Sequence, residues 1–224
     1  VERGEAIGPR VLTAGPYFDH RPSHLGWIGG VNSADEARQL FDSWKRRIDG
    51  VKVYTSIQEP ELVAVIGSAH EAGLRVVGHL DSVTATRAIE LGIDGLEHGI
   101  FAMSELAGPA PDFFPTTPWL AKLAALDVDA PPMKALIASI VERHVVIDPT
   151  TVALQQLLPD FVAVADWKRF TAPESVKPID DLFAMLRQEA SKQGPQWLEA
   201  LHGALRKQNQ FVKAVHDRGG IVVA

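Results

Sequence analysis

The chain has 224 residues, of which 46% are hydrophobic, and a formal net charge of −6. This length suits one large domain or a piece of one. The acidic balance argues against nucleic acid as the main partner, because phosphate binding requires a basic surface. There is no cysteine, which excludes disulfides and thiolate ligands, so any metal would be held by histidine, carboxylate or a modified lysine.

The sequence shows no targeting or membrane signal. No apolar run approaches the ~20 residues that a membrane helix needs, and no basic stretch followed by an apolar one opens the chain. We therefore expect no membrane partner. Val1 is not an initiator methionine, which suggests that the natural N-terminus is missing. The cellular location stays open, with the cytoplasm favoured.

The first half of the chain predicts strands that alternate with helices. A β-like run over residues 10–15 is followed by a polar, aromatic loop over residues 17–32. Ser33 and Glu36 form a capping box for a helix over residues 34–47. Further strands are predicted over residues 50–54, 75–79 and 94–98, separated by helices that begin near Pro60 and at a Ser82 cap and end at Gly73 and Gly92.

The second half is mainly helical in pattern. A loop rich in proline and phenylalanine over residues 100–117 precedes helices near Pro118 and over residues 132–143, and then a strand over residues 145–149. We interpret residues 152–217 as a helical insertion before a last strand over residues 219–224. Interruptions are expected at four prolines within that insertion: Pro159, Pro173, Pro178 and Pro195.

Alternating strands and helices indicate parallel βαβ units and hence an α/β fold. Two architectures have this rhythm, the closed barrel and the open doubly wound sheet. No Gly-x-Gly-x-x-Gly motif follows a predicted strand. The dinucleotide-binding form of the open sheet is therefore not supported.

Lys52 lies in the middle of the strand predicted over residues 50–54. Strand alternation places Lys52 and Tyr54 on the face opposite to the two neighbouring valines, so both point to the interior if the valines face the helices. Burial disfavours a charged lysine and makes the neutral amine available. Such an amine can react with carbon dioxide to give a carbamate, which can bridge two metal ions. The alternative is a lysine that reaches solvent at the strand end.

His79 and His98 end the next two predicted strands. His79 shares a face with Val77 and should point inward, and His98 is followed by Gly99. Taken alone, each is better explained as a histidine bonded to the backbone. Functional groups of barrels gather at the carboxyl ends of strands, so a lysine and two histidines on three consecutive strands together predict a site for zinc or a similar divalent ion.

These residues resemble a known family. The segments Val51-Lys-Val-Tyr54, Val77-Gly-His79 and Leu96-Glu-His98-Gly99, in that order, resemble the amidohydrolase superfamily, and most resemble its imidazolonepropionase-like and Xaa-Pro dipeptidase-like hydrolases. The run from Gly8 to Gly15 also resembles the third strand of that branch. The resemblance spans residues 8–100 and resumes over residues 145–150 and 219–224.

The resemblance implies a distorted (β/α)8 barrel, of which residues 1–224 would be a single incomplete catalytic domain from about the third to the eighth strand. Lys52 would be the carbamylated bridging lysine and a catalytic residue. His79 and His98 would share one metal of a binuclear pair, with zinc expected. We therefore predict a metal-dependent hydrolase that cleaves a C–N bond in an amide, cyclic amide or dipeptide through a metal-activated hydroxide.

Two motifs of the family are absent from the chain. Nothing matches the His-x-His of the first strand, and the chain ends at Ala224, where the last-strand motif with its aspartate would begin. We interpret the chain as a fragment of a longer enzyme. Two alternatives stay open: an ester, lactone or phosphotriester hydrolase on the same metal site, and a catalytically inactive barrel or binding domain.

Other residues are weaker candidates. Tyr54 and His24 are predicted to contact a small-molecule or dipeptide substrate, with interior packing and a solvated loop histidine as the alternatives. His20 shares the loop of His24, Arg21 could bind a substrate carboxylate, and Asp148 is expected to cap a turn. Aromatic residues near the loops could line an apolar pocket: Trp27, Phe101, Phe113, Phe114 and Trp119. Homo-oligomerisation stays open.

Overall fold

A computed structural model describes residues 11–22, 28–111, 114–161 and 167–223 of the chain. Its strands are β1 (Tyr17–His20), β2 (Ile28–Val31), β3 (Val51–Val53), β4 (Val76–Gly78), β5 (Gly95–Glu97) and β6 (Val146–Asp148). They form one sheet in the order β2-β1-β3-β4-β5-β6, and all neighbours are parallel. The predicted α/β class with a parallel sheet is confirmed.

Helices connect these strands and cover the sheet. They are α1 (Ala34–Trp44), α2 (Glu59–Glu71), α3 (Ala85–Leu91), α4 (Gly99–Ala102), α5 (Ser104–Ala107), α6 (Thr117–Ala125), α7 (Pro131–Glu142), α8 (Val152–Gln155), α9 (Pro173–Ser191) and α10 (Pro195–Asp217). A 3₁₀ turn spans Trp167–Phe170. Within the described residues, none of these helices is both long and apolar enough to cross a membrane.

The first strand was predicted in the wrong place. Residues 11–15 form no regular structure, and the side chains of Val11 and Leu12 are 78% and 65% exposed. The sheet begins instead with β1 and β2, inside the segment expected to be a loop. Phe18 of β1 is fully buried. Because burial of apolar side chains drives strand packing, Phe18 anchors this edge, whereas Val11 and Leu12 bury little surface.

Several element boundaries also differ from the predictions. α1 ends at Trp44, and α3 is capped by the Thr84 side chain, which accepts a hydrogen bond from the Arg87 amide at 3.1 Å, so the Ser82 cap is wrong. Two short helices, α4 and α5, occupy part of the expected loop over residues 100–117. Pro178 lies inside α9 without ending it.

The C-terminal segment adds to the far edge of the sheet. The Ile147 amide donates to the Ile221 carbonyl at 2.9 Å, and the Val223 amide donates to the Ile147 carbonyl at 3.0 Å. This pairing is a single parallel bridge between Ile147 and Val222. The expected last strand is thus present as one bridge beside β6 over the residues that the structure describes.

The helices pack their apolar faces against the sheet and one another. α10 buries Trp197, Leu201, Phe211 and Val215 and packs against α4, α6 and α7. Leu157 and the buried face of α10 therefore share a core with the strands and helices that precede them. The origin of residues 152–217 as an insertion stays a prediction.

The close approach of β4 to its neighbours gives a stability prediction. A Cβ at Gly78 would lie 2.8 Å from Cγ2 of Val53 and 3.0 Å from Cδ1 of Ile93, both buried. We expect Gly78→Ala to lower the free energy of unfolding by about 1–3 kcal/mol, as overpacking of a core does. Urea unfolding followed by circular dichroism measures the change.

The control for this prediction is Gly67→Ala. Gly67 is exposed in α2, and its Cβ would have no neighbour within 4 Å. Alanine should therefore stabilise the helix by about 0.5–1 kcal/mol. Equal and small effects of the two substitutions would contradict the close packing at Gly78.

Candidate metal centre

Lys52 points into the interior at the centre of the sheet, as its position in the strand predicts. Lys52 is buried, with only 4% of its surface exposed. The amine forms an ion pair with the carboxylate of Glu97 on β5 and lies 5.8 Å from the centre of the Tyr17 ring. Lys52 and Glu97 both belong to the same sheet face as Val77, which lies in register with Lys52 on β4. The alternative of a solvent-reaching lysine is not what the structure shows.

Two influences act on the charge of Lys52 in opposite directions. Burial lowers the pKa of Lys52 to about 8, and the nearby Asp148 carboxylate acts against this lowering. The ion pair with Glu97 also favours the protonated amine. A pKa of about 8 leaves a minor but appreciable neutral fraction near neutral pH. The neutral form is the one that has a lone pair available on the amine nitrogen.

His79 follows β4 and lies in an apolar, aromatic surrounding. Its ring centre lies 4.2 Å from that of Phe101, 4.7 Å from that of His98 and 5.1 Å from that of Tyr54. Neither ring nitrogen has a hydrogen-bond partner among the described residues. Burial, followed by His98 and Lys52, lowers the pKa of His79 to about 3, so the ring is neutral and can act as a ligand.

His98 reaches the same site through an unusual backbone conformation. In β5, Glu97 faces Lys52, so simple alternation would direct the next side chain to the opposite face. His98 instead has a left-handed φ of 57°, which turns its ring beside His79. Nδ1 of His98 is hydrogen-bonded to the hydroxyl of Thr150. Burial and then Lys52 lower the pKa of His98 to about 4.

The residues brought together suit a divalent metal only if Lys52 is modified. Among the described residues, no group of three or more His, Cys, Asp or Glu side chains is placed to hold a metal ion. The neutral imidazoles of His79 and His98 nevertheless lie together beside the Lys52 amine, and neither ring nitrogen of His79 has a hydrogen-bond partner among the described residues. A buried polar group without a partner is costly, and metal coordination would satisfy His79. With a carbamate on Lys52, the donor set fits zinc or a similar ion.

Three residues near the site were not predicted from the sequence. Glu97 contacts Lys52, Tyr17 lies beside the same amine, and Thr150 contacts His98. The alternation of Gly95 and Glu97 on one face of β5 could have identified Glu97. Nothing in the sequence pattern indicates Thr150, because its contact depends on how two loops meet.

Other predicted site residues have varied positions. Tyr54 lies at the site, where its ring stacks on Tyr17 at 5.6 Å and burial raises its pKa. His24 lies outside the described residues, as do Trp27 and Phe113. Asp148 accepts a hydrogen bond from the Thr150 amide at 2.9 Å, as expected for a turn cap.

The remaining candidates divide between the site and other parts of the fold. Arg21 donates from Nε to the Gly30 carbonyl at 2.8 Å, and its Nη2 lies 3.7 Å from the Glu36 carboxylate. Nδ1 of His20 lies 2.6 Å from the buried Glu61 carboxylate of α2. The aromatic rings lie in two groups, Phe101 with Trp119 at 5.6 Å beside His79, and Phe114 with Trp197 at 5.5 Å.

Comparison with known proteins gives a likeness in fold but none in sequence. No family model matches the chain, and no curated protein matches it in sequence. Among solved structures, bottromycin amidohydrolase is similar with a TM-score of 0.67 and 20% sequence identity, covering 94% of this chain and 44% of that one. At this identity the likeness shows a shared fold. The chain spans less than half the length of that protein.

The burial of neutral His79 predicts acid sensitivity of the metal-free protein. The pKa of His79 is lowered in the folded state from 6.5 to about 3, so between these values the unfolded chain binds the proton more readily. Stability is therefore lost as the pH falls from about 6.5 toward about 3. Between pH 7 and pH 5 the free energy of unfolding of the wild type should fall by about 2 kcal/mol more than that of His79→Leu.

Urea unfolding with a metal chelator present measures this difference. The control is His216→Asn, because the His216 side chain is 75% exposed and its loss should leave the pH dependence of the wild type intact. Parallel pH profiles for wild type and His79→Leu would show that the His79 ring is not held neutral by burial.

Proposed function

We propose that this chain is part of an amidohydrolase-type, metal-dependent hydrolase that cleaves a C–N bond in an amide, cyclic amide or dipeptide. The observation that carries the proposal is the meeting of Lys52, His79 and His98 on the interior side of three consecutive parallel strands. We infer that the sheet is part of a (β/α)8 barrel, because barrel enzymes place their catalytic groups at the carboxyl ends of their parallel strands.

Lys52 would be converted to a carbamate before it binds metal. The neutral amine nitrogen attacks carbon dioxide, an N–C bond forms, and one amine proton leaves. Glu97, which already contacts the amine, is placed to accept that proton. A protonated Glu97 does not repel the carbamate. The ion pair between the Lys52 ammonium and the Glu97 carboxylate would then be replaced by a hydrogen bond from the Glu97 carboxylic acid to a carbamate oxygen.

His79 and His98 would hold a metal ion through neutral ring nitrogens, and the Lys52 carbamate would supply a further ligand. The family resemblance implies a binuclear zinc site. When bound, such ions polarise a carbonyl oxygen and lower the pKa of water. Tyr54 and Phe101 border His79 and would exclude bulk water from that side. Tyr54 would also offer its hydroxyl to a small-molecule or dipeptide substrate.

The name of the structural neighbour supports amide chemistry. Bottromycin amidohydrolase shares the fold over nearly the whole of this chain, and an amide substrate is therefore preferred here over an ester, lactone or phosphotriester.

One observation favours the alternative of an inactive domain. If the ion pair of Lys52 with Glu97 is permanent, the amine stays cationic and cannot become a carbamate.

The proposal predicts that metal content depends on Lys52. Full-length protein purified with zinc and bicarbonate should contain bound metal and hydrolyse amides or dipeptides. Lys52→Ala should lose metal and reduce kcat/KM by more than the roughly 10–100-fold typical of changes around a metal ligand. Elemental analysis and a panel of amide, dipeptide, lactone, ester and phosphotriester substrates provide the two measurements.

The matched control is Lys45→Ala. Lys45 lies just after α1, where its exposed amine pairs with Asp42, so metal content and activity should equal those of the wild type. Short carboxylic acids should partly restore Lys52→Ala, because a carboxylate can replace the carbamate. Equal metal content and activity in wild type and Lys52→Ala would refute the bridging role, and turnover of only esters or phosphotriesters would refute the amide assignment.

A further inference from the structure

The loop after β6 contains a strained residue that touches the candidate metal centre. Thr150 has a φ of 38°, in the left-handed region that β-branched residues rarely adopt. Its amide donates to Oδ1 of Asp148 at 2.9 Å. Residues held in such conformations concentrate at functional sites, where surrounding contacts maintain them. The strained backbone therefore marks Thr150 as a candidate functional residue.

Contacts on both sides of Thr150 hold this conformation. The Pro149 carbonyl accepts from the Gly99 amide at 3.3 Å and from Nε2 of Gln208 at 3.2 Å. The same Nε2 donates to the Thr151 hydroxyl at 2.9 Å. Gln208 belongs to α10 and is 1% exposed. The loop after β6 thus contacts both the residue that follows His98 and a buried side chain of α10.

The result of this arrangement is a contact between two residues that both have a positive φ. The Thr150 hydroxyl oxygen is hydrogen-bonded to Nδ1 of His98, whose own φ is 57°. Neither side chain would reach the other by strand alternation alone. Nδ1 and Nε2 lie on different sides of an imidazole ring, so the contact directs Nε2 away from Thr150.

The neighbours of His98 bear on which atom donates in this contact. Lys52 is the charged group that acts most strongly on His98, and a lysine ammonium carries donors and no acceptor. A ring nitrogen with a lone pair would suit a neighbouring lysine ammonium better than one that carries an N–H. If the proton resides on Nδ1, then Nδ1 donates the hydrogen bond and the Thr150 hydroxyl oxygen accepts it.

We propose that Thr150 is a positioning residue that fixes His98 in the tautomer with its proton on Nδ1, so that Nε2 is presented to the site as a ligand. The tautomer is inferred from the contacts of this chain alone, whereas its use in metal binding rests on the function proposed above. Metal-binding histidines commonly donate their second ring N–H to an oxygen atom, which fixes the ring and raises the basicity of the ligand nitrogen.

Three substitutions separate the hydroxyl from the strain. Thr150→Val keeps the branched shape and removes the hydroxyl, Thr150→Ser keeps the hydroxyl, and Thr150→Gly removes the hydroxyl while relieving the strained φ. Nitrogen-15 NMR of histidine-labelled, metal-free, full-length protein reports the tautomer of His98, which is assigned with a His98→Asn variant. Zinc titration of the same proteins reports the affinity independently of catalysis.

In the wild type and Thr150→Ser, His98 should be protonated on Nδ1. In Thr150→Val and Thr150→Gly it should shift toward the Nε2–H tautomer, and zinc should bind about 10–100-fold more weakly. Thr150→Gly should unfold no more easily than the wild type, so a folding defect cannot explain its loss of zinc.

Two results would overturn the proposal: an unchanged tautomer in Thr150→Val and Thr150→Gly, or a failure of Thr150→Ser to behave like the wild type. A wild-type protein that binds no zinc, yet shows the predicted tautomers, would refute the metal-dependent function while leaving the positioning role of Thr150 intact. The experiment therefore tests the metal-dependent function and the positioning role of Thr150 independently.

Discussion

The parallel direction of all six strands is the constraint on which the rest of this structure depends. Because parallel strands joined by helical crossovers end at the same edge, residues that are far apart in the sequence meet there. Lys52, His79 and His98 come from three neighbouring strands and meet on one side of the sheet. An antiparallel arrangement of the same strands would separate the histidines by the length of a strand.

The site that results is largely buried, and its polar groups are only partly satisfied. Lys52 has Glu97 as a partner, whereas the ring nitrogens of His79 lack hydrogen bonds within the described part of the chain. Aromatic rings of Tyr54 and Phe101 lie on two sides of His79. The neutral form of the His79 ring is favoured there, because burial penalises a charged imidazolium more than a neutral imidazole.

The predictable features of the site share one property, which is that they depend on local alternation. The inward direction of Lys52 and Tyr54 followed from the period of a strand, and the position of His79 followed from Val77. The first strand was misplaced because residues 11–15 and β1 both have apolar residues in short runs. Only the packing of Phe18 into the core distinguishes them.

The sequence by itself determined the class of fold, the strands from β3 to β6 and the inward direction of Lys52, since these depend on periodicity within single elements. Tertiary structure alone decided that Glu97 pairs with Lys52, that His98 turns back toward His79 and that Thr150 contacts it. The last two contacts depend on the left-handed backbone of His98 and Thr150. Their geometry depends on how loops and α10 pack together, which no local pattern encodes.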